Sequence, residues 1–153
     1  MSLHKVLVIS LSSPLLVGVY KDDILIDSFI SDEKTSDTLP KIFDKLLKTY
    51  KIDELLYARG PGSFMAIKIT YIFLRTLSIV KNIPLVGSDG FSFNSSSPIK
   101  AVGSRFFMKI NGSITVENIG IDSKEIKSFK LPKVLDSDVF TKDSTPLYIL
   151  PAV

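Results

Sequence analysis

Tyr57-Ala58-Arg59-Gly60-Pro61-Gly62-Ser63-Phe64 is the stretch on which the fold turns. Glu54 to Ala58 ahead of it is a short apolar run with strand character, and Phe64 to Val80 behind it is a long apolar run with helical character. Between them, two glycines and a proline supply the loop chemistry of a sharp change of direction. The helix is expected to end at Lys81-Asn82, before Ile83-Pro84. Leu85-Val86-Gly87 then forms another short strand, which a helical crossover places parallel to its neighbour.

The pattern upstream completes a sheet. Lys5 to Ser10 (Lys-Val-Leu-Val-Ile-Ser) is a continuous aliphatic run suited to a strand buried on both faces. Leu15 to Tyr20 is a second strand, Lys21-Asp22-Asp23 a turn, and Ile24 to Ile30 a third strand of alternating character. Leu39, Ile42, Phe43, Leu46, Leu47 and Tyr50 share one helical stripe, with Ser36 as the expected N-cap and Pro40 close to the first turn. The order strand–strand–strand–helix–strand–helix–strand therefore predicts one mixed sheet with both helices on the same face.

Downstream, Ser92 to Pro98 is dense in turn residues and marks a boundary, dividing the chain into residues 1–90 and 91–153. Arg105 to Ile110 and Ser113 to Ile119 flank Asn111-Gly112, the strongest short hairpin signal. Asp122 to Val153 shows no regular period.

The 153 residues carry 45% hydrophobic residues, ten Phe and five Tyr, enough for a real core rather than a disordered chain. There is no Cys, which removes disulfides, a thiolate nucleophile and Cys-based metal binding. No signal peptide is visible and no apolar stretch reaches the roughly 18 residues a membrane span needs. A cytoplasmic location is the expectation, and there the sequons at Asn94 and Asn111 carry no meaning. The net charge of +3 is spread thinly, without the basic–aromatic interleaving of an RNA-binding module.

The strand, Gly-Pro-Gly-Ser-Phe turn, apolar helix and Ile83-Pro84-Leu85-Val86-Gly87 strand together resemble the TsaB (YeaZ) family. The Leu39-Pro40 helix and the closing Thr145-Pro146-Leu147-Tyr148-Ile149-Leu150 segment are similar to that family's first helix and last strand. The resemblance is good from Lys5 to Gly90. It implies an α/β fold of the actin-like ATPase (ribonuclease H-like) kind, with a reduced second lobe. It also implies a non-catalytic subunit that supports a TsaD-like protein in tRNA threonylcarbamoyl-adenosine modification, with a TsaE-like ATPase joining the assembly and tRNA touched at most indirectly. Members of the family dimerise alone through the helix pair. Several positions depart from the pattern: Ser10 and Leu11 stand where Asp-Thr is usual, and Met65, Ala66 and Lys68 replace Thr, Gly and Arg. In the actin-like superfamily that Asp organises metal and phosphate, so its replacement by Ser10 argues against ATP chemistry.

Two candidate sites follow. The loop Arg59, Gly60, Pro61, Gly62, Ser63 and Phe64 has two readings. It is a turn that swings strand into helix, or a cradle whose N–H groups at a helix N-terminus hold phosphate. No Gly-Lys-Ser/Thr follows, as a P-loop would require. The second site is the helix Phe64 to Val80. Twelve of its seventeen residues are apolar, more than one buried stripe uses. It is either sandwiched inside the protein or turned toward a partner. The partner face, shared with the helix Ser36 to Lys48, comprises Leu39, Ile42, Phe43, Met65, Lys68, Ile69, Tyr71, Ile72 and Arg75.

No catalytic, metal or cofactor site is expected. His4 is the single His and lies at the N-terminal end, read as a surface residue before the first strand. The carboxylates Asp22, Asp23, Asp32, Glu33, Asp37, Asp53 and Glu54 fall at turns and element ends, and Asp122, Asp136, Asp138 and Asp143 lie in the unpatterned tail. The rival function is an enzyme, a small actin-like ATPase or sugar-kinase relative binding nucleotide between its lobes.

Overall fold

The structure is a computed structural model that describes residues 2–101, 103–118 and 126–149. Five strands form the main sheet: β1 (His4–Ile9), β2 (Leu15–Lys21), β3 (Ile24–Ser31), β4 (Glu54–Ala58) and β5 (Leu85–Ser88). Their order is β3-β2-β1-β4-β5. β1, β2 and β3 are an antiparallel meander, while β4 runs parallel to β1 and β5 parallel to β4. The turn between β2 and β3 works because Asp22 and Asp23 both accept positive φ, at 50° and 68°. β1 and β4 thus lie side by side in one sheet, as the sequence predicts.

Helices α1 (Thr35–Thr49) and α2 (Phe64–Lys81) cover one face of this sheet. There Leu39, Phe43 and Leu46 of α1 and Leu74 of α2 bury against Val6, Val8, Val17, Val19, Leu55 and Tyr57. Phe43 and Phe73 meet edge to face between the two helices, 5.3 Å apart. α1 begins before the expected cap: Lys34 occupies the N-cap and Ser36 lies inside the first turn. Pro40 accordingly stands in the second turn, where its missing N–H leaves the Ser36 carbonyl without a helical donor. α2 ends where Asn82 adopts the left-handed conformation, and the Ile83 N–H bonds the Ser78 carbonyl at 3.0 Å.

The opposite face is covered by the chain's own tail. Leu7, Ile9, Leu16, Tyr20, Leu56 and Ala58 pack against Phe93, Leu135 and the partly buried Phe129, Leu131 and Phe140. Residues 126–149 cross this face with little ladder pairing. Ile24 bridges Val134, Gly87 bridges Thr141, and the Leu147 N–H bonds the Arg59 carbonyl at 2.8 Å. The Tyr20 hydroxyl donates to the Pro132 carbonyl at 2.6 Å, and the buried Tyr57 hydroxyl donates to the Ser144 carbonyl. Burial pushes both phenols far above their ordinary range. The closing segment from Thr145 is no strand over its described residues, a correction to the sequence expectation; its polar groups are spent on β4 and its loop instead.

A second sheet has three antiparallel strands, β6 (Ile99–Lys100), β7 (Arg105–Ile110) and β8 (Ser113–Asn118), in the order β6-β7-β8. Asn111 and Gly112 form the expected hairpin turn, both at positive φ. Lys109 ties this sheet to the main one through an ion pair with Asp89 at 2.6 Å. Ile119, Asp122 and Leu150 lie outside the described residues.

Candidate functional site

The Gly-Pro-Gly loop is a packing device in this structure. Gly60 has φ +134°, and a Cβ there would stand 2.3 Å from the Leu147 carbonyl oxygen. A Cβ on Gly62 would stand 2.6 Å from the Leu11 carbonyl oxygen. The two glycines therefore let the loop touch backbone on two sides. Several of the loop's backbone groups bond to protein: Ser63 N–H bonds the Leu11 carbonyl, Arg59 N–H the Ser88 carbonyl, and Gly90 N–H the Gly60 carbonyl, each at 2.8 Å. Pro61 is buried. Arg59 turns away from the loop, its Nε donating to the Thr145 carbonyl at 2.6 Å and its guanidinium pairing with Asp143 at 3.3 Å. These contacts are the ones a tight turn between β4 and α2 makes.

Two positions bear on catalysis. Ser10, buried at the end of β1, shares a 2.8 Å hydrogen bond with the Thr35 hydroxyl at the start of α1. It knits strand to helix. His4 is not a loose surface residue: it opens β1, is half-buried and stacks on Tyr50 with ring centroids 5.3 Å apart. Asp53 accepts the His4 backbone N–H, at 2.8 Å. Among the described residues, no group of three His, Cys, Asp or Glu is placed to hold a metal ion.

The outer face of α2 is where apolar chemistry reaches the surface. Met65 and Ile72 are 57% and 53% exposed, and Ile79 and Val80 69% and 71%. Positions 65, 69, 72, 76 and 79–80 follow helical spacing, so Met65, Ile69, Ile72 and Val80 line one side. A groove of about 500 Å³ runs between this row and α1, with Leu39 and Pro40 on its far wall. Lys68 and Arg75 are exposed, and neither has an ion-pair partner among the described residues. Ile42 and Tyr71 are half-buried, the latter with its ring 6.1 Å from that of Tyr57.

Phe43 must be withdrawn from the outward-facing set, and Leu39 stays only as a buried lining residue of the groove. Leu39 and Phe43 are 0% and 1% exposed, because the stripe that carries them faces the sheet. Pro40, Thr76, Ile79 and Val80 belong to the open face or its groove and were not singled out from sequence. The repeat through 65, 69, 72, 76 and 79–80 was the available signal. The inner side of α2 mixes characters: Thr70 and Ser78 are buried beside Ile67 and Leu74, while Ile72 and Val80 face outward. The Thr70 hydroxyl has no hydrogen-bond partner there.

The arrangement of meander, two helix-linked parallel strands and helices on one face is an α/β fold of the actin-like type. Within that class the likeness is to YeaZ. The structure matches YeaZ from Pseudomonas aeruginosa with a TM-score of 0.59 at 12% identity, over 75% of this chain and 64% of that one. A second match, described as an uncharacterized protein with similarity to peptidase YeaZ from Pseudomonas aeruginosa, has a TM-score of 0.55 at 12% identity, over 75% and 63% of the two chains. This chain therefore spans just under two thirds of the length of either. At that identity the likeness is one of fold. No family model matches the sequence, and no curated protein matches it. No helix among the described residues is long and apolar enough to cross a membrane.

Proposed function

We propose that this chain is a TsaB-like partner subunit that supports a TsaD-like protein in tRNA threonylcarbamoyl-adenosine modification, and that it contributes binding rather than catalysis. The YeaZ-type fold supports the kinship. The observation that carries the partner role is the surplus of aliphatics on the outer face of α2, where Met65, Ile72, Ile79 and Val80 stay exposed after Ile67 and Leu74 are buried inside. Ser78 is used within the chain, its hydroxyl donating to the Ile83 carbonyl at the end of α2, but the exposed aliphatics have no such use there. A protein whose outer helix face is covered gains the burial of Met65, Ile69, Ile72 and Val80. Lys68 and Arg75 form a polar rim that orients the contact. Without the partner, the same face closes on a second copy about a two-fold axis. Ser10, engaged by Thr35 in place of an acid, supports the non-catalytic part of the proposal.

Ile72→Glu tests it. Ile72 is half in solvent, so the carboxylate reaches water in the monomer and the fold is retained; in a covered interface it is buried unpaired. Light scattering across a concentration series and copurification with the TsaD-like protein are the measurements. The expected result is a wild-type dimer and a wild-type complex, both lost in the variant with its melting curve unchanged. Wild type and variant equally monomeric, with neither binding the TsaD-like protein, would refute the proposal.

A further inference from the structure

A second cavity, of about 470 Å³, is lined by the loop after β1, the first turns of α2, the second sheet and the tail. Leu11, Ile67, Phe107, Leu147 and Ile149 make it apolar, and Phe64 and Tyr148 stand at its mouth with rings 4.8 Å apart. Among the described residues that line it, Lys100 is the one charged residue and none is a carboxylate. Lys100 is exposed, and its side chain has no ion-pair partner among the described residues. The hydroxyls of Ser12 and Ser63 flank the same wall, also without partners there.

We infer that this cavity binds a small amphipathic monoanion, a carboxylate on an aliphatic body. The size suits a single small molecule, and an apolar lining with a few convergent polar groups is the ordinary composition of such a site. An apolar chain gains by leaving water against Leu11, Ile67 and Phe107. Its carboxylate needs a partner to stay near the cavity, and Lys100 holds one at the rim, with its stem on the apolar wall and its ammonium in solvent. The two serine hydroxyls add donors. A nucleoside triphosphate fits poorly: one cation faces several phosphate charges, and the apolar walls leave the donors of base and ribose unpaired.

Isothermal titration of the full chain with decanoate, below its micellar concentration, and with neutral 1-decanol tests the inference. Decanoate is expected to bind one per chain. Lys100→Met should weaken decanoate by about three- to five-fold, the strength of a solvent-exposed ion pair. It should leave 1-decanol and the melting temperature unchanged. Ile72→Glu, on the partner face, should leave decanoate binding intact. No decanoate binding to the wild type would overturn the inference. So would a decanoate affinity indifferent to Lys100→Met, which removes the anion from the specification, or one lost in Ile72→Glu, which moves the binding to the helix face.

Discussion

Alanine at Gly62, Gly60 and Gly112 separates two reasons for keeping a glycine, and with them the two roles a glycine loop can serve. Gly112 has φ +81° with nothing within 4 Å of an added Cβ, so its alanine variant meets backbone strain alone, about 1–2 kcal/mol. Gly62 lies outside the positive-φ region, and its added Cβ meets the Leu11 carbonyl oxygen at 2.6 Å and the Leu11 Cα at 3.0 Å. Those are backbone atoms at the end of β1 and cannot swing aside as a side-chain tip would. The cost is that of overpacking, about 1–3 kcal/mol. Gly60 combines both terms, with φ +134° and a Cβ 2.3 Å from the Leu147 carbonyl oxygen, for about 2–6 kcal/mol. In a chain of this size each kcal/mol lowers the melting temperature by about 2–4 °C. Thermal unfolding followed by circular dichroism should therefore rank Gly60→Ala as the most destabilised of the three. A Gly62→Ala protein as stable as wild type would refute the reasoning. Its glycine would then stand free of Leu11, and close approach of a ligand would become the better account of the loop.

Two further outcomes concern the tail. Tyr57→Phe should cost about 1–2 kcal/mol in urea unfolding, because it leaves the buried Ser144 carbonyl without its donor; an unchanged midpoint would show that the tail is held by its other contacts. Asp143 is held below its ordinary 3.8, first by the Thr145 hydroxyl, then by the Thr145 N–H and the Arg59 guanidinium. A depressed folded pKa gives stability that is present above about 4 and lost as pH falls through the lower folded value. Asp143→Asn should therefore flatten the fall in melting temperature below about pH 4, and parallel curves for the two proteins would count against the assignment.

The sheet and its helices were legible because their signals are local. A two-residue turn such as Asp22-Asp23 or Asn111-Gly112 states its hairpin within four residues, and the aliphatic runs of β1 and β4 state burial on both faces. The tail was not legible, since its contacts are long-range. Tyr20 reaches Pro132 across 112 positions and Tyr57 reaches Ser144 across 87, and such single tethers leave no period in the sequence. The start of α1 was misplaced for a related reason. Ser36 has the better cap chemistry, but the Thr35 hydroxyl is engaged by Ser10 at the end of β1, and the helix starts there.

The partner face shows the same boundary between what a pattern states and what packing decides. Periodicity marks Leu39 and Phe43 as apolar and helical, yet nothing in their spacing says that the sheet consumes them. For α2 the surplus of apolar residues was visible, and the structure shows where it goes. Met65, Ile72, Ile79 and Val80 are each more than half exposed. Covering the exposed half of such a side chain is worth roughly 1 kcal/mol. A two-fold pairing of α2 on α2 buries eight of them, for roughly 8 kcal/mol, while association itself costs about 4–15 kcal/mol. The aliphatic row alone thus does little more than balance that cost. A self-pair held by this row is weak and concentration-dependent, and a tight complex needs a partner that also fills the groove beside Leu39 and Pro40 and meets Lys68 and Arg75 with opposite charge. On those terms the proposed partner role is better served by a different protein than by a second copy, and a dimer of the chain alone is expected only at high concentration.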